Sequence, residues 1–206
     1  ETISPISKVC DCMTVSTPDI QKADRVFKPF YTVGHSTHSL SDFIAILRHY
    51  NITLITDVRA FPYSRRNREF DGSRLVSELA AYDIGYCHIP ELGGRRPRSK
   101  TVCTETNAFW RVQSFHNYAD YALGEVFHQG LAKLLELGRQ NTVAIMCAEV
   151  LWWRCHRRII TDYLLESNQK VFHILSLTNA VQAQITPDAV VENKGLITYP
   201  PSTSGG

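Results

Sequence analysis

Short apolar runs alternate with helical patterns along most of this chain, and each run ends in a polar turn. The runs at residues 30–33, 52–58, 85–89 and 142–146 have the length of buried strands, and helical patterns lie between them. A strand that is followed by a helix and a second strand within about 30 residues is the arrangement that pairs strands in parallel. We therefore predict an α/β fold with a mainly parallel sheet, to which residues 171–175 add a fifth strand.

The composition agrees with one domain of this kind. The chain has 206 residues, of which 44% are hydrophobic, and this is enough for a single packed core. We predict a three-layer domain, Rossmann-like or flavodoxin-like, over residues 29–198. Residues 1–28 have few large apolar side chains and are predicted to be a flexible arm, and residues 199–206 are predicted to be a flexible tail.

The polar turns all follow strand ends, whereas the turns that lead into the strands are short and plain, as at Tyr50-Asn51 and Asp83-Ile84. In a right-handed parallel sheet the carboxyl ends of the strands meet at one edge, where α/β proteins bind their ligands. We therefore expect a single site at that edge.

Basic residues are concentrated in these turns, although the net charge is only +2. Ten of the 22 lysines and arginines lie in residues 65–68, 95–100 and 154–158. Arginine binds phosphate bidentately, and backbone N–H groups of glycine turns and of the helix predicted to begin near Cys155 bind anions as well. One of two adjacent tryptophans is expected to face solvent and stack on an unpaired base. The predicted substrate-binding residues are Gly34, Ser36, Arg59, Ser64, Arg65, Arg66, Gly93, Gly94, Arg95, Trp152, Trp153, Cys155, His156 and Arg157.

Two carboxylates at the ends of neighbouring strands, Asp57 and Glu149, are predicted catalytic residues. A carboxylate beside apolar groups has a raised pKa and can act as a general base towards water, while a basic neighbour keeps its companion ionised. Such a pair suits hydrolysis. The alternative for Asp57 is a structural ion pair with Arg59 that fixes the turn. His35 is a further catalytic candidate, although we expect it to orient the loop by hydrogen bonds.

Cys147 and Cys155 allow a second chemistry, in which a thiol is the nucleophile. A helix N-terminus and arginines lower the pKa of a cysteine, which makes Cys147 a catalytic candidate. Against this reading, the turn after Cys147 is not a glycine-rich phosphate loop. The run Asp57-Val-Arg59 is similar to rhodanese domains, but the similarity covers those residues alone.

Zinc is a third possibility, with Cys147, Cys155, His156 and also His35 as ligands and Glu149 as the proton shuttle of a bound water. Cys147-Ala-Glu149 is similar to the zinc-binding segment of cytidine deaminases, where the cysteine opens a helix and pairs with a C-x-x-C. Adjacent residues at a helix start point about 100° apart, so that Cys155 and His156 would not readily bind one ion. We therefore predict no resident cofactor, with buried structural thiols as the commonest alternative.

Six cysteines without the spacing of a disulfide scaffold indicate a reducing, intracellular compartment, cytoplasmic or nuclear. Cys10 and Cys12 form a C-x-C pair without a second pair nearby, so a metal site is not predicted there. No run approaches the roughly 20 apolar residues of a membrane span, and the first residues lack the apolar core of a signal peptide. No membrane partner is expected.

Five sequence blocks lie at these same turns. They are Thr32-Val-Gly-His-Ser36, Leu54-Ile-Thr-Asp-Val-Arg59, Phe61-Pro-Tyr-Ser-Arg65, Pro90-Glu-Leu-Gly-Gly-Arg95 and Cys147-Ala-Glu149 with Cys155-His-Arg157. Together the blocks resemble the family catalogued as domain of unknown function 488. The resemblance implies a compact α/β domain and an association with nucleic-acid metabolism. The chain departs from the usual pattern by its N-terminal arm and by the bulky run Leu151-Trp-Trp153.

The first hypothesis for function is an enzyme of DNA repair or nucleic-acid metabolism that hydrolyses a bond at a modified or damaged base, by glycosidic cleavage or deamination. The expected partner is single-stranded or flipped-base DNA in preference to RNA, or a nucleotide. The alternatives are a module that binds nucleic acid or a nucleotide without catalysis, and a cysteine-dependent phosphatase or sulfurtransferase. The sequence makes no prediction of oligomeric state.

Overall fold

A six-stranded sheet forms the middle of the protein. Residues 28–63 and 67–201 are described by a computed structural model. The strands are β1 (Phe30–Gly34), β2 (Leu54–Asp57), β3 (Gly85–His88), β4 (Val143–Cys147), β5 (Val171–Ile174) and β6 (Ala180–Gln182). They lie side by side in the order β3-β2-β4-β1-β5-β6. The first five strands are parallel and the sixth is antiparallel, which confirms the predicted α/β fold with a mainly parallel sheet.

Helices cover both faces of the sheet, because the central strands have apolar side chains on both sides. In β4, Val143 and Ile145 pack into one buried cluster while Ala144 and Met146 pack into the other. Successive residues of a strand point to opposite faces, so the two clusters are the two interfaces of a three-layer domain. The helices are α1 (Leu40–His49), α2 (Gly72–Ala80), α3 (Gln113–Ala122), α4 (Glu125–Gln140) and α5 (Arg157–Glu166).

Local sequence signals account for the helix boundaries. Ser39 caps α1, since its hydroxyl accepts a hydrogen bond from the backbone N–H of Asp42 at 3.1 Å. Gly124 separates two helices, since α3 ends just before it and α4 begins just after it. α3 starts at Gln113, where exposed polar residues give no apolar period.

The register of the parallel strands aligns their carboxyl ends. Gly34 pairs with Cys147, Asp57 pairs with Met146, and Asp57 also pairs with His88 on its other side. The turns after β1, β2, β3 and β4 therefore leave the sheet at the same edge, as the alternation of polar and plain turns predicted.

The chain after β5 crosses the outside of the domain and then returns to the core. The two short strands β7 (Val190–Val191) and β8 (Ile197–Thr198) pair with each other, and Tyr199 after them is fully buried. The Tyr199 hydroxyl donates to Asp162 at 2.9 Å, so the core extends past the predicted boundary at residue 198. The rest of the predicted tail, residues 202–206, and nearly all of the predicted arm, residues 1–27, lie outside the described residues. Of the helices in the described part, none is both long and apolar enough to cross a membrane.

Asp162 of α5 contacts Thr186 and Tyr199 of the segment after β5, and this contact makes the stability of the protein depend on pH. Burial raises the pKa of Asp162 to about 6, although the Thr186 N–H, the Tyr199 hydroxyl and the Arg158 charge act in the opposite direction. The folded protein thus holds this proton more tightly than the unfolded chain does, whose aspartates titrate near 3.9. We expect this contribution to stability, about 2–3 kcal/mol, to be present below pH 4 and lost as the pH rises through 6.

Asp162→Asn should remove this dependence, since the amide does not titrate. Urea denaturation of wild type and variant at pH 4 and pH 7.5 measures the difference between their pH profiles. Glu136→Gln, an exposed residue of α4, is the control and should follow wild type. Parallel profiles for wild type and Asp162→Asn would contradict the prediction.

Candidate functional site

A cleft of about 720 Å³ opens at the carboxyl edge of the sheet. Side chains from all four predicted turns meet in it, together with the start of α3. The lining residues are His35 after β1; Arg59, Ala60, Phe61 and Tyr63 after β2; Gly94 and Arg95 after β3; Ser114 and Phe115 of α3; Cys147 at the end of β4; and Ala148, Glu149, Arg154, Cys155 and His156 after β4.

Asp57 lies behind this wall and is held in an ion pair. Its carboxylate is fully buried and accepts hydrogen bonds from the backbone N–H of Arg59 at 3.0 Å, from the Arg59 guanidinium at 2.6 Å and from the Tyr86 hydroxyl at 2.7 Å. The guanidinium also donates to the carbonyl of Phe70 at 2.8 Å, which fixes the far end of the same loop. The geometry therefore favours the structural ion pair for Asp57 over the alternative role of general base.

His35 supports this pair from the side of the cleft. Its Nε2 lies 3.3 Å from Nη1 of Arg59, and since arginine only donates, Nε2 accepts and the neutral ring carries its proton on Nδ1. The ring stacks on Phe70 with centroids 4.3 Å apart. Burial, aided by the charge of Arg59, lowers the pKa of His35 to about 4. These contacts agree with the orienting role predicted for it.

The turn from β4 to α5 brings two thiols and an imidazole together. Cys155 is extended, with φ −129° and ψ 146°, whereas His156 is helical, with φ −56° and ψ −17°. The helix begins only at Arg157, so the expected divergence of Cys155 and His156 by one helical step is wrong. The Cys155 Sγ lies 3.5 Å from Nδ1 of His156, and together with the Cys147 Sγ these ligand atoms lie within 4.8 Å of one another.

The orientation of His156 is determined by its other nitrogen. Nε2 lies 2.9 Å from the carbonyl oxygen of Val58, which can only accept, so Nε2 carries the proton and Nδ1 presents a lone pair to the thiols. Gly94 packs directly against this ring. A Cβ at position 94 would overlap Nδ1 and lie 2.7 and 2.8 Å from Cγ and Cε1, so only glycine leaves room for the imidazole.

Arg157 is a buried cation whose neighbour is a thiol. Only 1% of it is exposed, its Nε donates to the Cys155 Sγ at 3.3 Å, and its Nη2 donates to the carbonyls of Glu149 and Val150. No carboxylate of the described residues forms a salt bridge with it. A buried charge without a counter-ion is costly, so negative charge on Cys155 is favoured.

The two thiols have opposite pKa shifts. Burial opposes the ionisation of Cys155, but the hydrogen bond from Cys147 and the charge of Arg157 hold its pKa well below the usual value. The pKa of Cys147 is held well above its usual value by the hydrogen bond to Cys155 and by burial. Both shifts favour negative charge on Cys155 over negative charge on Cys147.

The outer part of the cleft combines free cations with aromatic rings. Arg95 and Arg154 are exposed, and neither forms a salt bridge within the part of the chain that the structure describes. The Arg95 guanidinium lies 5.8 Å from the ring centroid of Phe61, which lies 5.8 Å from that of Tyr63. The exposed carboxylate of Glu149 faces the same space and accepts from the backbone N–H of Leu151 at 3.0 Å.

Some predicted binding residues have other partners. The backbone N–H of Ser36 donates to the carbonyl of Ala148 at 3.0 Å, so it is not available to an anion as predicted. Gly34 serves close packing, because a Cβ there would overlap the carbonyl oxygen of Glu149. Gly93 is similar, since its Cβ would lie 2.9 Å from the Cα of Ala60.

The stacking role predicted for the adjacent tryptophans is not supported by their position. Trp152 stacks on His173 with centroids 4.0 Å apart, and Trp153 is exposed, but neither lines the cleft. Phe61, Tyr63 and Phe115 supply the aromatic rings instead. In the sequence, Phe61 and Tyr63 come just before the arginines of a long polar loop, and this pattern could have identified them as binding residues. Ser64, Arg65 and Arg66 lie outside the described residues, so their roles stay predictions.

Comparison with known proteins identifies one family. The family model described as domain of unknown function DUF488 matches residues 39–164, more than half of the chain. The chain therefore belongs to this family, which confirms the resemblance seen in its motifs. No curated protein and no solved structure matches the chain.

Proposed function

We propose that this member of the DUF488 family is an enzyme that binds a nucleotide unit in the cleft and hydrolyses a bond at its base, by glycosidic cleavage or deamination. The unit is a free nucleotide or an unpaired or flipped nucleotide of DNA. The observation that carries the proposal is the joining, in one cleft, of unpaired arginines, exposed aromatic rings and a reactive corner of thiols, imidazole and carboxylate.

The size and charge of the cleft support this substrate class. Its volume of about 720 Å³ lies within the range of small-molecule sites. Arg59 is neutralised by Asp57, but the two arginines Arg95 and Arg154 outnumber the single carboxylate of Glu149 in the cleft lining. A positive cleft with low-dielectric walls attracts phosphate, and arginine binds it through two parallel hydrogen bonds.

The rings of Phe61 and Tyr63 support recognition of the base. They are 52% and 63% exposed, unusually high for large aromatic side chains, and they lie beside Arg95. Every base offers a flat π face, so an exposed ring next to a cation binds an unpaired nucleotide without reading a duplex.

Glu149 is the residue best placed to act on water. Asp57 is occupied by four donors, whereas the Glu149 carboxylate faces the cleft beside the Cys147–Cys155–His156 corner. A carboxylate in that position takes a proton from the attacking water and returns it to the leaving nitrogen.

Glu149→Gln is expected to lower turnover about 100-fold while leaving substrate affinity nearly unchanged. The assay is conversion of a panel of modified nucleosides, nucleotides and single-stranded oligonucleotides, followed by mass spectrometry. Glu136→Gln, an exposed change on α4, is the matched control and should have full activity.

Binding is measured separately, so that a binding module can be distinguished from an enzyme. Arg95→Ala should weaken binding and flatten its salt dependence, because a phosphate contact is lost. If wild type binds these ligands with that dependence but converts none of the panel, the enzymatic proposal fails and the non-catalytic alternative stands.

A second candidate is favoured by the contact between Arg157 and Cys155. A buried guanidinium that donates a hydrogen bond to a cysteine sulfur is the environment of a nucleophilic cysteine, and it fits the cysteine-dependent phosphatase or sulfurtransferase alternative. This candidate requires that iodoacetamide inactivate the wild type and that Cys103→Ser, at an exposed thiol elsewhere, leave that inactivation unchanged.

A further inference from the structure

We propose that Cys147, Cys155 and His156 bind one Zn²⁺ ion, with a fourth coordination position open to the cleft. Among the described residues these three form a group of ligand atoms within 4.8 Å of one another. In a tetrahedral zinc site with bonds of about 2.0–2.3 Å, neighbouring ligand atoms are about 3.5–3.8 Å apart. The Sγ of Cys155 and Nδ1 of His156 are already 3.5 Å apart, and small side-chain rotations supply the rest.

The imidazole of His156 is oriented for a metal ion. Metal-binding histidines generally donate their other ring N–H to a carbonyl or carboxylate, and Nε2 of His156 donates to the Val58 carbonyl at 2.9 Å. A Cβ at Gly94 would be closest to Nδ1 and only 2.7 and 2.8 Å from Cγ and Cε1. A point in the ring plane along the Nδ1 lone pair would be much farther from both carbons, so this Cβ would lie above the face of the ring. Gly94 therefore packs on that face, and the in-plane lone pair of Nδ1 remains directed at the thiols.

The chemistry of the donors selects the ion. Two thiolates and one imidazole suit Zn²⁺ and disfavour Mg²⁺ or Ca²⁺, which take oxygen ligands. The guanidinium of Arg157 donates from Nε to the Cys155 Sγ at 3.3 Å, and a hydrogen bond of this kind stabilises a metal-bound thiolate.

Three protein ligands leave one position of a tetrahedral ion for water, as in catalytic zinc sites. His35 is not the fourth ligand, because its Nε2 accepts a hydrogen bond from Arg59. All three proposed ligands line the cleft with Glu149, so the open position faces the space where the substrate would bind.

The proposed site also deepens the proposed function, on which this step rests. Water on Zn²⁺ loses a proton to the Glu149 carboxylate, and its oxygen forms a bond to the carbon of the base or sugar under attack. The bond from that carbon to the leaving nitrogen breaks, and the nitrogen takes its proton from Glu149. Atoms and charge balance without any oxidant or reductant.

The test uses metal ions alone. The protein is stripped of metal ions with a chelator under reducing conditions and then titrated with Co²⁺. The thiolate charge-transfer and visible absorption bands of Co²⁺ report tetrahedral sulfur ligation. Zn²⁺ is added last and should displace the Co²⁺. We expect one ion per chain. Cys147→Ser and His156→Ala should each weaken binding at least about 100-fold, and the exposed Cys103→Ser should not change it.

Several outcomes decide the matter. A Cys155→Ser variant is interpreted only together with its circular dichroism spectrum, because Cys155 is buried, and the test therefore depends on the more exposed Cys147. Absence of the charge-transfer bands in wild type, or equal binding by Cys147→Ser, overturns the site. If the ion binds as expected but no nucleotide is converted, the zinc site stands and the proposed function fails. If metal-free protein converts nucleotides at the full rate, the zinc step fails while the proposed function stands.

Discussion

Asp57→Asn is expected to lower the free energy of unfolding by about 3–5 kcal/mol. The carboxylate is fully buried and neutralises Arg59, which is only 6% exposed. Asparagine keeps the shape but removes the charge, so the buried guanidinium would be left without a counter-ion. Urea denaturation at neutral pH measures the change as a lower midpoint with an unchanged slope.

Two further variants test whether the loss of stability comes from the unpaired charge of Arg59. Asp57→Asn combined with Arg59→Met removes both charges and should recover a large part of the loss. Glu78→Gln breaks an exposed pair with Arg74 and should change stability by less than about 1 kcal/mol. A stable Asp57→Asn protein without turnover would instead support the role of general base.

Gly34→Ala is expected to lower the free energy of unfolding by at least about 3 kcal/mol and to weaken Co²⁺ binding at the thiol corner. An added Cβ would overlap the carbonyl oxygen of Glu149 and lie 2.6 Å from the Cα of Val150. Both obstacles are backbone atoms, which cannot rotate away. The turn from β4 to α5 would therefore have to move, and this turn carries Cys155 and His156.

Gly85→Ala is the matched control for this change. A Cβ at Gly85 first meets the flexible Cδ1 of Leu54 at 3.1 Å, and its next contact, with the Thr53 carbonyl, is 3.6 Å. We expect a change within about 1 kcal/mol and normal Co²⁺ binding. If Gly34→Ala matched Gly85→Ala in both measurements, the close packing of the two turns would not be a requirement of the site.

Most of the fold could be predicted because its strands are buried on both faces. β4 is an unbroken apolar run whose residues alternate between two cores, and a short run of this kind predicts a strand that is buried on both faces. The antiparallel β6 and the β7–β8 pair were missed, because strands of two or three residues are too short for an apolar pattern to be detected.

The location of the site followed from topology, but the roles of its residues did not. Asp57 and Glu149 look alike in sequence, and only the packing of Arg59 and Tyr86 around Asp57 separates a buried ion pair from an open carboxylate. The relation between Cys155 and His156 depended on a helix boundary two residues later than expected, which periodicity does not resolve.

The burial of Tyr199 has a consequence for how this protein is made. The layer formed by α3, α4 and α5 is completed only when this late residue inserts beside Trp110 and reaches Asp162. A ribosome synthesises the chain from its N-terminal end, so every element that precedes Tyr199 must emerge before this side of the core can close. Until then Trp110 and its neighbours are accessible to chaperones, and the hydrophobic core that supports the cleft is incomplete.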